Sequence, residues 1–113
     1  LIHPYPGLDY GHYDLEGVHA VLHDLYHSGT ACVSQDWGDR HHLIGFAEHC
    51  KARNIPLYLA PAILTDNAYS STRCLLACGA QMIWNTSLET AYAKLILAYG
   101  NALAPSEIDA LLT

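Results

Sequence analysis

The apolar positions of this chain fall into short runs and helical stripes that alternate. Val18, Ala20, Val21 and Leu22 form an apolar run, interrupted by His19 and ended by His23 and Asp24. A polar loop containing Tyr26, His27, Ser28, Gly29 and Thr30 follows. Gly38 and Asp39 are then placed to open a helix, with Asp39 a suitable N-cap. Leu43, Phe46, Ala47 and Cys50 recur at i, i+3, i+4 and i+7, which predicts one buried helical face. Lys51 and Arg53 stand in the last turn, where cations complement the helix dipole. Residues 55–60 form a second apolar run, short enough for a buried strand. Strand, helix and strand in this order make a βαβ unit with parallel strands. Ligands of such sheets sit beyond the carboxyl ends of the strands, which draws attention to the loop after residue 25.

On either side of this unit the pattern continues. Leu1 and Ile2 read as the end of a strand, and His3, Pro4, Tyr5, Pro6 and Gly7 as a rigid turn leaving it. Residues 8–16 lack apolar periodicity and predict one turn of helix at most. After the 55–60 strand, Asp66, Asn67, Tyr69, Ser70 and Ser71 form a polar loop that suits either ligand contact or plain solvent exposure. Ser70 or Ser71 then caps a short helix through Cys78. Leu75, Leu76 and Cys78 face inward, and Gly79 takes the C′ position. Gln81, Met82, Ile83 and Trp84 make the last strand. Thr86 and Glu89 fit a capping box, worth about 1 kcal/mol through the N-cap. Leu88, Ala91, Tyr92, Leu95, Ala98 and Tyr99 give the clearest amphipathic stripe, closed by Gly100 and Asn101. Pro105 and Ser106 open a final short helix carrying Ile108, Leu111 and Leu112. The expected fold is α/β: a small three-layer domain with a parallel four-stranded sheet, Rossmann/flavodoxin-like.

At 113 residues the chain reads as one domain, 1–113, large enough to bury roughly two thirds of its unfolded surface without a disulfide or metal. It begins at Leu1 rather than Met, as an excised domain would. A net charge of −6 argues against a nucleic-acid footprint, and no apolar run is long enough to span a membrane. Cys32, Cys50, Cys74 and Cys78 form no CxxC, which favours buried, reduced thiols in a cytoplasmic protein.

Eight histidines raise the question of a metal. His42 and His49 lie two turns apart on one helix face, whereas a single ion is best served by i, i+4. No HExxH is present, so solvated or hydrogen-bonded histidines are the plainer account, and neither metal nor cofactor is expected. Ser28 and Thr30 are hydroxyls in a glycine-bearing loop. His27 is too close in sequence to serve Ser28 as a base, and no GxSxG elbow exists. A lone Gly29 does not cradle phosphate. Asn85, Thr86 and Ser87 match a glycosylation acceptor but sit where a helix cap is needed.

Taken together, several stretches resemble the C-terminal domain of the L-asparaginase family, in its cytoplasmic, type I-like branch. Tyr5, Pro6 and Gly7 resemble the family's YPG turn after the domain's first strand. Residues 17–30 resemble its strand and small-residue loop. AEHCKARNIP at 47–56 resembles its helix leading into the next strand. Tyr69, Gly79 and MIWNTSLETAYAKL at 82–95 resemble its closing segment, with Thr86, Glu89, Ala91, Ala93, Lys94 and Leu95 near the family spacing. The resemblance spans nearly the whole chain and rests on order and spacing, since each motif consists of turn, cap and core residues.

The resemblance implies a divergent member. The family's loop Asn falls on Thr30, and His27 and Ser28 replace a small Gly-containing pair. The cysteine common after the second strand is missing from residues 62–65, and the first helix is shortened to residues 8–16. It also implies that the catalytic threonines belong to an N-terminal domain absent from this chain, so no catalytic residue is assigned. The implied partners are that N-terminal catalytic domain, a second subunit in a homo-dimer or tetramer, and a small amino-acid amide, with no nucleic acid and no membrane. Ser28, Thr30 and Tyr69 are the expected substrate-binding residues. The family's reaction is hydrolysis of the side-chain amide of asparagine. The other reading is a non-catalytic small-ligand-binding or assembly module of the same fold.

Overall fold

The computed structural model describes residues 1–5, 8–25, 43–62 and 76–113. Among them run strand β1 (Val21–Asp24), helix α1 (Leu43–Ala52), strand β2 (Leu57–Ala62), strand β3 (Gln81–Trp84), helix α2 (Leu88–Gly100) and helix α3 (Pro105–Leu112). One 3-10 turn, Tyr10–His12, precedes β1, in keeping with the single turn expected of residues 8–16. The sheet is parallel throughout, in the order β1-β2-β3. Ile2 adds one parallel bridge beside His23. Its N–H donates to the Leu22 carbonyl and its own carbonyl accepts from the Asp24 N–H, both at 2.8 Å. The described sheet therefore has three strands, with a single bridged residue where the expected fourth would end.

Alternation along the strands sorts the core into two faces. Val21, Leu57 and Leu59 pack with Leu43, Phe46, Ala47 and Cys50 of α1, the four positions the periodicity selected. Leu22, Tyr58, Ala60 and Ile83 point the other way, against Ala91 and Leu95 of α2, with Leu112 of α3 beside them. The result is three layers: α1, sheet, then α2 with α3. In β2, Pro61 has no N–H to give the ladder, and the β2–β3 register slips between Leu59 and Ala62. The Ala60–Pro61 peptide bond is cis.

Four expectations need correction. β1 does not end at His23: it runs from Val21 to Asp24, because the period-2 pattern continues through Val21, His23 and Leu25, all buried. β2 is shifted toward the carboxyl end and spans Leu57–Ala62. The N-cap of α2 is Ser87, not Thr86. The Ser87 hydroxyl accepts from the Thr90 N–H, while the Thr86 hydroxyl donates back to the Trp84 carbonyl. Two polar residues stand at this helix start, and the one whose oxygen reaches the first turn becomes the cap. Leu76 is exposed rather than inward, although Gly79 does adopt the positive φ, +92°, of a C′ residue. The expected start of α1 at residues 38–39, and most of the short helix ending at Cys78, lie outside the described residues.

Candidate functional site

Beyond the carboxyl ends of parallel strands, side chains converge from elements that are distant in sequence. Here the bridge between Ile2 and His23 sets His3 beside Asp24. The His3 Nδ1 lies 3.0 Å from the Asp24 carboxylate, on a partly exposed edge. One residue back, His23 points into the α1 face and is fully buried. Its Nε2 is 2.8 Å from the Tyr10 hydroxyl, and the Tyr10 ring stacks on Phe46 with centroids 4.9 Å apart. Nδ1 of His23 is buried and has no hydrogen-bond partner. Burial pushes the His23 imidazole down to about 4. The Asp24 backbone and carboxylate oppose that shift, and His3 adds to it. The edge thus pairs an accessible His–Asp couple with a buried, neutral His–Tyr couple.

Several groups with catalytic chemistry are held inert. Cys50 is buried and its thiol is pushed up to about 11, so it is not a thiolate near neutrality. Tyr58 and Tyr99 hold each other by their hydroxyls at 2.8 Å, and burial raises Tyr58 further above its ordinary range. His23 is too enclosed to meet a substrate proton. Among the described residues no three His, Cys, Asp or Glu side chains are grouped to hold a metal ion. Nor is any helix among them long and apolar enough to cross a membrane.

The sequence-expected ligand contacts Ser28, Thr30 and Tyr69 all lie outside the described residues. Ser28 and Thr30 follow β1 directly in the chain, and Tyr69 follows β2. Of the edge groups, His3 and Asp24 carry no functional expectation from the sequence. The signal at this edge is present in part: Val21, His23 and Leu25 alternate toward one face, which marks His23 as a core histidine. The pairing of His3 with Asp24 depends on the Ile2 bridge and has no local signature.

Among the described residues, two grooves border the second face. One, of ≈ 560 Å³, is bordered by Leu1, His19, Leu22, Tyr92, Ile96 and Tyr99. Tyr92, Ile96 and Leu97 are exposed along α2, so the amphipathic stripe buries Ala91, Leu95 and Ala98 but leaves Tyr92 outside. The other, of ≈ 730 Å³, follows β3 between Gln81 and Thr86 and faces Lys94 and Asp109.

These features define an α/β domain with a parallel sheet covered on both faces and a polar edge at the carboxyl end of β1. No family model, no curated protein and no solved structure matches the chain.

Proposed function

We propose that this chain acts as the C-terminal domain of an asparaginase-like amidohydrolase, with a Rossmann/flavodoxin-like sheet whose fourth strand ends at Ile2. In this reading it completes a composite site and a subunit interface, and it is inactive by itself. The observation that carries the reading is the polar edge formed by His3 and Asp24 where β1 runs into the segment bearing Ser28 and Thr30. An α-amino or α-carboxylate group needs polar partners, and that edge offers an imidazole and a carboxylate side by side. Thr30 offers one hydroxyl where the family carries a carboxamide, so it contributes a single hydrogen bond. The exposed Tyr92, Ile96 and Leu97 suit the expected subunit contact.

The same exposed residues also favour the second reading, a non-catalytic assembly or small-ligand-binding module. Ammonia release from L-asparagine separates the two. The 113-residue chain alone should release none, whereas the intact gene product should. Thr30→Ala in that product should raise KM about tenfold, the value of one lost hydrogen bond, without changing its circular dichroism. An intact product that neither hydrolyses nor binds asparagine removes the enzyme reading and leaves the module.

A further inference from the structure

β3 is the last strand of the described sheet, at the opposite edge from Ile2, His3 and Asp24. In a parallel ladder, alternate residues turn their N–H and C=O groups to opposite neighbours. Val21 and Leu25 donate to the Pro56 and Ala60 carbonyls, so the even positions of β2 serve β1, while Leu57 and Leu59 serve β3. The register Tyr58↔Gln81 and Leu59↔Met82 then turns the backbone of Gln81 and Ile83 toward β2 and that of Met82 and Trp84 outward. In keeping with this, the Trp84 carbonyl accepts from the Thr86 hydroxyl at 3.0 Å. Among the described residues no strand takes up the N–H and C=O of Met82 or the N–H of Trp84. Such an edge is ordinarily blunted by a charge or a proline, and Gln81, Met82, Ile83 and Trp84 include neither.

The groove of ≈ 730 Å³ runs along this edge. Its wall takes in strand neighbours of both parities, Gln81 and Met82, as a groove along the strand's edge does and a groove on one sheet face does not. Met82 and Trp84 pack toward the α1 side, while Lys94, Asp109 and Leu112 overlook the edge from α2 and α3. Neither Lys94 nor Asp109 has an ion-pair partner among the described residues. A strand added to the edge therefore meets an apolar lining on one face, and a cation and an anion on the other. A second copy of β3 would bring only uncharged side chains to those charges, on a chain whose net charge is already −6.

We propose that the β3 edge binds an extended peptide as an added strand, in which apolar residues alternate with one acidic and one basic residue. The acid meets Lys94, the base meets Asp109, and backbone hydrogen bonds to Met82 and Trp84 hold the peptide in line. The probes are two acetylated, amidated pentapeptides, Val-Glu-Val-Lys-Val and Val-Lys-Val-Glu-Val, titrated to about 5 mM against the isotope-labelled chain. At least one should give saturable shifts of the Met82 and Trp84 amides, while those of Val21 and Leu22 on β1 stay in place. The fully N-methylated form of that peptide cannot donate and should bind about tenfold more weakly or worse. The uncharged analogue Val-Gln-Val-Gln-Val should bind about threefold more weakly. The double variant Lys94→Gln, Asp109→Asn should erase that preference for charge. No shift at Met82 or Trp84 with either peptide overturns the proposal, as does equal binding of the N-methylated form or of the uncharged analogue. Met82 and Trp84 shifts that move with protein concentration alone overturn it in favour of a second copy.

Discussion

Among the described residues, one helix and the nearly unstructured segment 8–15 enclose Leu43, Leu59 and a buried histidine on the α1 side of the sheet. On the other side, two helices cover Leu22, Ile83 and the hydroxyl pair of Tyr58 and Tyr99. Each face holds a polar pair, fully buried at Tyr10–His23 and part-buried at Tyr58–Tyr99. In the tyrosine pair one hydroxyl donates to the other at a part-buried site, and tyrosine keeps its proton well past neutrality, more so for Tyr58. A histidine paired through one nitrogen leaves the other without a partner. A hydrogen bond contributes about 1 kcal/mol net, while an orphaned buried polar atom costs about 1–3 kcal/mol. The Tyr10–His23 couple therefore fixes where segment 8–15 sits rather than adding stability, whereas the tyrosine pair does both.

The largest test asks whether the faces are equal at neutral pH. Leu59 and Ile83 are both almost completely buried, one on each face. Leu59→Ala and Ile83→Ala should each cost about 3–4 kcal/mol, read from urea midpoints. A Leu59→Ala cost near that of an exposed site would mean that the α1 face stands outside the cooperative core, and the comparison would fail.

Acid should then separate them. The His23 imidazole is lowered from 6.5 to about 4, so between those values the unfolded chain binds the extra proton and the folded chain does not. The stability that His23 contributes by this linkage is complete above pH 6.5 and is lost as pH falls toward 4. The loss approaches about 3 kcal/mol, since each pKa unit is worth about 1.4 kcal/mol. The double variant Tyr10→Phe, His23→Leu replaces both partners by apolar groups. It should stay within about 1 kcal/mol of the parent at neutral pH and lack this component of the acid loss. Equal slopes for the two chains between those pH values would place the acid sensitivity elsewhere.

Legibility in the sequence followed the range of the interactions. The α1 stripe and the strand 81–84 were readable because their signals are local: four apolar positions at helical spacing, and a short apolar run between turn residues. The cap of α2 falls one residue beyond the expected Thr86, since Thr86 and Ser87 are both competent and backbone geometry chooses Ser87. At the end of β1 the sequence signals conflict: His23 and Asp24 read as a polar stop, while the parity of His23 with Val21 and Leu25 places it inward. The polar edge escaped altogether. His3 meets Asp24 only through the parallel bridge of Ile2, a contact across 21 positions that no local pattern encodes.

The smallest effect addresses whether the two faces unfold together. Ala102, between α2 and α3, is held at φ +50°, a region where a Cβ is disfavoured. Asn54 and Asn85 also lie at positive φ, but asparagine tolerates it, so Ala102 is the place to gain. Ala102→Gly should stabilise by about 0.5–1 kcal/mol: relief of the left-handed strain exceeds the extra freedom glycine returns to the unfolded chain. The side chain is exposed, so little packing is lost. The thermal midpoint should rise by a few degrees. If the faces form one cooperative unit, melting followed at Tyr10 and at Tyr99 shifts by the same amount. If the α1 face opens first, only the Tyr99 transition moves, because the gain resides in the turn that holds α3 against α2 and leaves the attachment of segment 8–15 untouched.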